Sequence, residues 1–159
     1  TGEIDPAVVF HLQGVAGMIV DEVDTLFNKK SGLKGLTGDN DMRGVREMSR
    51  SGDADARRKA RVALDIYINR IVKYIGSFTA EMGGVDVITF TAGIGENDIP
   101  LRAEICEHLA PFGVMIDEEA NSTRATDPIT ISKRGSSVRI MVVPTNEELA
   151  IAKQALTLV

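Results

Sequence analysis

The chain has one cysteine, no tryptophan, and only two tyrosines and five phenylalanines in 159 residues. A single Cys106 cannot form an internal disulfide. With only His11 and His108 to join it, there is no Cys/His pattern at the spacing of a zinc site. A disulfide-stapled or zinc-stabilised domain is therefore excluded, and a reducing cytoplasm is the expected location. Long apolar runs are also missing: no stretch of about eighteen residues would cross a bilayer, and no basic segment followed by an apolar one opens the chain. Surplus positive charge is absent too, since 18 Lys and Arg stand against 23 Asp and Glu, a formal net charge of −5. A nucleic-acid backbone binder needs the opposite balance. The one basic cluster, Arg57, Arg58, Lys59 and Arg61, reads as a solvated helix face, so neither nucleic acid nor membrane is expected as a partner.

What is present is ordinary for a folded domain: 43% apolar and 26% charged residues, enough to build a core and too apolar for disorder. The opening TGEIDPAVVF has no initiator Met and runs from an acidic turn straight into apolar residues, which suits an internal start within a longer protein. Asp5 is placed to cap a helix there, with Pro6 at its first position.

Two periodicities follow. A second helix is expected over roughly residues 14 to 28, with Val15, Met18, Ile19, Val23 and Leu26 on one face. SGLKGLTGDND, with Gly32, Gly35 and Gly38, reads as a glycine-punctuated loop, suited to tight backbone approaches or to a flexible surface connection. From Asp53 to about Met82 the helical period is sustained by Ala60, Leu64, Tyr67, Ile71, Tyr74 and Phe78. Ala63, Ile66, Ile68, Val72 and Ile75 widen that stripe beyond a coiled-coil seam, which suits a core helix or a subunit interface.

Gly83 and Gly84 end this helix, and the period changes to that of a sheet. VDVITFT (85 to 91) has strand composition, a helix is expected from about Pro100 to Leu109 on Leu101, Ile105 and Leu109, and Val114 to Ile116 makes a short strand. ITIS (129 to 132) and VRIMVV (138 to 143) read as a hairpin with a buried second strand. In PTNEELAIAKQALTLV, Thr145 with Glu148 three residues on has the form of a capping box opening a last helix. Helices alternating with strands give an α/β domain on a mixed sheet.

Three segments carry candidate chemistry. In TFTAGIGEN, a strand leads through Gly93-Ile94-Gly95 into a helix, an arrangement that turns backbone N–H groups toward an anion. A dinucleotide fingerprint is one reading, with Asp117 about twenty residues on as the ribose acceptor. Asp98 stands where its third glycine belongs, however, and the charge of Glu96 sits badly against a pyrophosphate. Glu147 is not needed for the cap, so it is free to hold Mg²⁺ directly or through water, or simply to favour the helix dipole. Asp41 and Arg43 pair an acceptor for ribose hydroxyls with a guanidinium able to stack on adenine; the plain alternative is a helix start with an acidic cap and an exposed arginine.

TGEIDP, then SGLKGLTG followed by NDMR, then FTAGIGEN, and finally PTNEELAIA occur in an order that resembles the acetate and propionate kinase family, the acetokinases of the actin-like ATPase superfamily. The resemblance runs over essentially the whole chain. It implies a C-terminal, ribonuclease-H-like lobe, a single nucleotide-binding unit over residues 1–159 of a two-lobe kinase. The family reaction transfers the γ-phosphoryl group of ATP to acetate, with propionate or butyrate as alternative acceptors, and uses Mg²⁺. Carried over residue by residue, the resemblance places Asp41, Met42 and Arg43 around the adenosine and Gly93, Ile94, Gly95, Glu96 and Asn97 along the nucleotide. It puts the metal on Glu147. Met42 stands where the family often has a larger apolar residue, and its thioether is suited to cover an adenine face. The acyl-binding groups lie upstream in the family, so this chain alone is expected to bind ATP or ADP without turnover, and a homodimer through this half is implied. A dinucleotide-dependent oxidoreductase built on Gly93 and Gly95 is the alternative from another enzyme class.

Overall fold

The computed structural model describes residues 3–124 and 126–157. Thr1 and Gly2 of TGEIDP, and the last two residues of the expected terminal helix, lie outside the described residues. The chain divides into two compact units, the first ending at Tyr67 and the second starting at Ile68.

In the first unit, α1 (Ala7–Gly14) opens as expected: Pro6 already has helical dihedrals, and the Ala7 N–H donates to Asp5 Oδ1 at 2.8 Å. The helix expected over residues 14 to 28 is broken. Gly17 takes a positive φ of 68°, and α2 (Val20–Lys29) starts afresh where the Ile19 N–H donates to Glu22 Oε2 at 2.9 Å. Of the proposed face only Val23 is buried, while Val15 and Ile19 are exposed. The glycine-punctuated segment is also not a loop. It forms α3 (Gly32–Thr37), closed by Gly38 in the left-handed region, whose N–H donates to Lys34 O at 2.8 Å.

Helix α4 (Met42–Met48) and the first half of α5 (Ala54–Met82) build this unit's core. Met42, Val45, Ala60, Ala63 and Leu64 form one buried cluster, with Leu33, Met48 and Tyr67 packed around it. Complete burial of a side chain such as Leu64 stabilises by about 1.5–3 kcal/mol relative to exposure. Helix α5 begins one residue after the expected Asp53 and ends at Met82, where the Gly84 N–H donates back to Thr79 O at 2.9 Å. Of its expected stripe, Ala60, Ala63, Leu64 and Ile68 are buried, whereas Ile66, Tyr74 and Phe78, with Met82 at the helix end, are exposed.

The second unit carries the sheet. Strand β1 (Val87–Phe90) pairs in parallel with β3 (Arg139–Val142), from Val87 opposite Arg139 to Phe90 opposite Val142. Strand β2 (Ile129–Thr130) lies antiparallel on the other side of β3, giving the order β1-β3-β2. The sheet is therefore mixed, with the expected hairpin at its edge. The strand expected at Val114 to Ile116 shortens to one bridge between Ile116 and Ser132. Alternation puts Ile88, Phe90, Ile140 and Val142 into the core. Between β1 and β2 come α6 (Ala92–Asn97), α7 (Ile99–His108) and α8 (Glu118–Ser122), and α9 (Glu147–Leu156) follows β3. Leu101, Ile105 and Leu109 are all buried, as their spacing requires.

Candidate functional site

The chain leaves β1 through an abrupt turn. Ala92 has φ 59°, the one non-glycine residue with positive φ among the described residues. Holding an alanine there costs about 1 kcal/mol, and it lets α6 start directly off the strand end.

The two glycines of GIGEN serve different ends. A Cβ at Gly95 would lie 3.2 Å from the Phe90 carbonyl carbon, so this glycine is required by packing against the strand. A Cβ at Gly93 would meet nothing within 4 Å. Packing therefore does not require glycine at that position, and the backbone there is bare toward open space. Asn97 folds back on its own helix, its Nδ2 donating to Gly93 O at 2.8 Å. Ile94 is 38% exposed.

The α6 turn is anchored by a residue that the sequence reading missed. Arg102, on α7, is 1% exposed. Its Nη1 donates to Gly95 O at 2.8 Å and Glu96 O at 2.7 Å. Its Nε and Nη2 donate to Asn121 Oδ1 at 2.7 Å and Asn121 O at 2.8 Å. Burial pushes the guanidinium pKa down, yet four short bonds compensate the buried charge. The only sequence signal was an arginine between the core positions Leu101 and Ile105.

Glu96 is equally occupied. Its Oε1 accepts from the Thr145 N–H at 2.8 Å and from the Thr145 hydroxyl at 2.9 Å. These donors, with the Ala92 N–H, hold its carboxyl below the usual range, the Thr145 backbone bond contributing most. The expected Thr145 capping box is consequently not formed. Asn146 caps α9 instead, its Oδ1 accepting from the Leu149 N–H at 2.9 Å. Glu147 and Glu148 then fall in the first turn, where negative charge is favoured by the helix dipole.

Glu147 is exposed, and no three His, Cys, Asp or Glu side chains gather into a metal cluster among the described residues. Glu147 thus offers one exposed carboxylate, a donor of the kind Mg²⁺ takes alongside waters and substrate phosphates.

In the first unit, Asp41 caps α4, accepting the Arg43 N–H at 2.9 Å, and its Oδ2 pairs with Arg43 Nη2 at 2.7 Å. Arg43's side chain, first through its hydrogen bond, lowers the Asp41 pKa to about 2. The Arg43 side chain is 90% exposed, leaving a face of the guanidinium open for stacking. Met42 does not present its thioether: it is 6% exposed and packed with Val45 and Leu64. Its side chain is thus spent on the core and does not cover a ring. Asp41 and Arg43 belong to one unit, and Gly93 to Asn97 with Glu147 to the other.

The profile of the Acetokinase family matches residues 1–153. The acetate kinase of Leifsonia xyli subsp. xyli is 53% identical over 156 residues, covering 98% of this chain and 38% of that protein. The acetate kinase of Streptomyces avermitilis is 50% identical over 159 residues, covering 100% and 38%. The crystal structure of Porphyromonas gingivalis acetate kinase superposes with a TM-score of 0.86 at 36% identity, covering 99% of this chain and 39% of that one. A propionate kinase from Francisella tularensis gives 0.82 at 38% identity, covering 94% and 37%. The chain thus spans about 38% of the length of the curated relatives it matches, and its α/β architecture is that of the ribonuclease-H-like lobe of an actin-like ATPase. Matched over nearly all of its residues, the chain belongs to the acetokinase family.

Proposed function

We propose that this chain is the nucleotide-binding part of an acetate kinase, which transfers the γ-phosphoryl group of ATP reversibly to acetate, giving acetyl phosphate and ADP. The observation that carries the reading is the direct hydrogen bonding of the Gly93–Asn97 turn to the segment that bears Glu147. An adenine nucleotide and its metal call for that conjunction, and a dinucleotide turn does not.

In this reading the bare backbone at Gly93 receives phosphates. Within the first unit, Arg43, paired with Asp41, presents a guanidinium suited to stack on an adenine ring. Ile94 and Gly95 shape the turn, while Glu96 and Asn97 support it from within. Glu147 would hold Mg²⁺, which would supply positive charge to offset that of the phosphates. Phosphoryl transfer depends on positioning and charge stabilisation more than on covalent chemistry by the protein. Nucleotide binding is therefore the property to test on this chain, since turnover needs an acceptor site as well. Acetate is favoured as acceptor by the names of the matched relatives, with propionate as the neighbouring option.

The exposed Ile66, Tyr74, Phe78 and Met82 on α5 support a homodimer, testable by sedimentation: a strict monomer at high concentration counts against it. Calorimetric titration of ADP and NAD, with and without Mg²⁺, tests the main reading. Preference for NAD would turn it toward the oxidoreductase alternative.

A further inference from the structure

Glu96 is held from two directions. Its carbonyl accepts from Arg102 Nη1 at 2.7 Å, and Arg102 is fixed in turn to Asn121. Its carboxylate reaches 49 residues along the chain to take both donors of Thr145 on one oxygen. Thr145 immediately precedes Asn146, the cap of α9, and Glu147, its first residue. A carboxylate left free beside phosphates would repel them. This one is directed onto the Thr145 N–H and hydroxyl.

We infer that Glu96 is a positioning residue: acting through Thr145, it holds the Glu147 segment against the Gly93–Asn97 turn, so that metal ligand and phosphate turn stand in register. This rests on the reading of Glu147 as the Mg²⁺ ligand. Glu96 then serves the metal without touching it or the nucleotide. Its bond to the Thr145 N–H needs an acceptor oxygen on the side chain at position 96, and its bond to the Thr145 side chain needs a hydroxyl at position 145.

The test is calorimetric titration of ADP across a Mg²⁺ series, for the unmodified chain and four variants. Glu96→Ala raises the Mg²⁺ concentration needed for half-maximal tightening of ADP binding by about tenfold, losing two bonds to a charged acceptor. Thr145→Val raises it by about threefold, since the backbone bond remains. Thr145→Ser behaves as the unmodified chain, the double variant is no worse than Glu96→Ala, and metal-free ADP affinity is unchanged in Thr145→Val and Thr145→Ser. Weaker metal-free binding in Glu96→Ala, with Thr145→Val silent, would make Glu96 a nucleotide contact and overturn the inference. So would an unchanged Mg²⁺ dependence in both single variants. If the unmodified chain binds no ADP, it is the nucleotide reading that fails. Hydrogen exchange at the Thr145 amide then decides the contact separately: faster exchange in Glu96→Ala supports it, and unchanged protection overturns it.

Discussion

Replacing the two glycines of GIGEN by alanine separates binding from folding. At Gly95 the new Cβ would lie 3.2 Å from the Phe90 carbonyl carbon and 3.5 Å from Phe90 Cα and Cβ. The first distance is tighter than ordinary contact and the neighbour is backbone, so β1 or α6 must shift by a few tenths of an ångström. Overpacking of this kind costs about 1–3 kcal/mol. At Gly93 the methyl meets nothing within 4 Å, and the residue sits in a helical turn at ordinary φ. Gly93→Ala is therefore neutral, or stabilising by up to about 1 kcal/mol through reduced freedom of the unfolded chain. If phosphates approach the bare backbone, that same methyl occupies their place, and ADP affinity falls at least about tenfold, or about 1.4 kcal/mol. Urea denaturation and ADP calorimetry on both variants read the two effects apart. A Gly93→Ala chain that is stable and binds ADP normally would refute the assignment of the phosphate approach. A Gly95→Ala chain of unchanged stability would refute the packing argument.

Arg102→Met removes the donor that holds the Gly95 and Glu96 carbonyls and leaves buried Asn121 with an unmet acceptor, at about 1–3 kcal/mol for each buried acceptor left unpaired, read as a lowered urea midpoint. Asp41 titrates at about 2 in the folded chain instead of its ordinary 3.8, so its contribution to stability is complete above 3.8 and is lost as pH falls through about 2. Asp41→Asn should flatten that acid limb in a denaturation series between pH 4 and pH 2, and an unchanged limb would show that the pair with Arg43 does not form.

The elements that were legible in the sequence are those whose pattern is long or punctuated. Helix α5 carries its stripe over 29 residues and stops at two glycines, and α7 is set by Leu101, Ile105 and Leu109. Shorter elements depended on single backbone events. Gly17 at positive φ divides the expected second helix, and α3 forms although it holds two glycines, against propensity, with a third, Gly38, as its cap. The terminal cap moved from Thr145 to Asn146 because Glu96, distant in sequence, takes the Thr145 hydroxyl, and no local rule contains that competition. Within the candidate site, the glycine turn and Glu147 could be picked out by motif. The core placement of Met42 and the anchoring role of Arg102 could not, because helical spacing alone does not tell a methionine at a helix start or an arginine between core positions from surface residues.

The central claim is that this chain holds an adenine nucleotide together with Mg²⁺ at Glu147. Its most direct test is ADP calorimetry with and without Mg²⁺ on the unmodified chain and on Glu147→Gln. The account predicts ADP binding that Mg²⁺ strengthens in the unmodified chain, with that strengthening lost and the metal-free affinity retained in Glu147→Gln. Equal strengthening by Mg²⁺ in both chains, or no ADP binding by either, would contradict it.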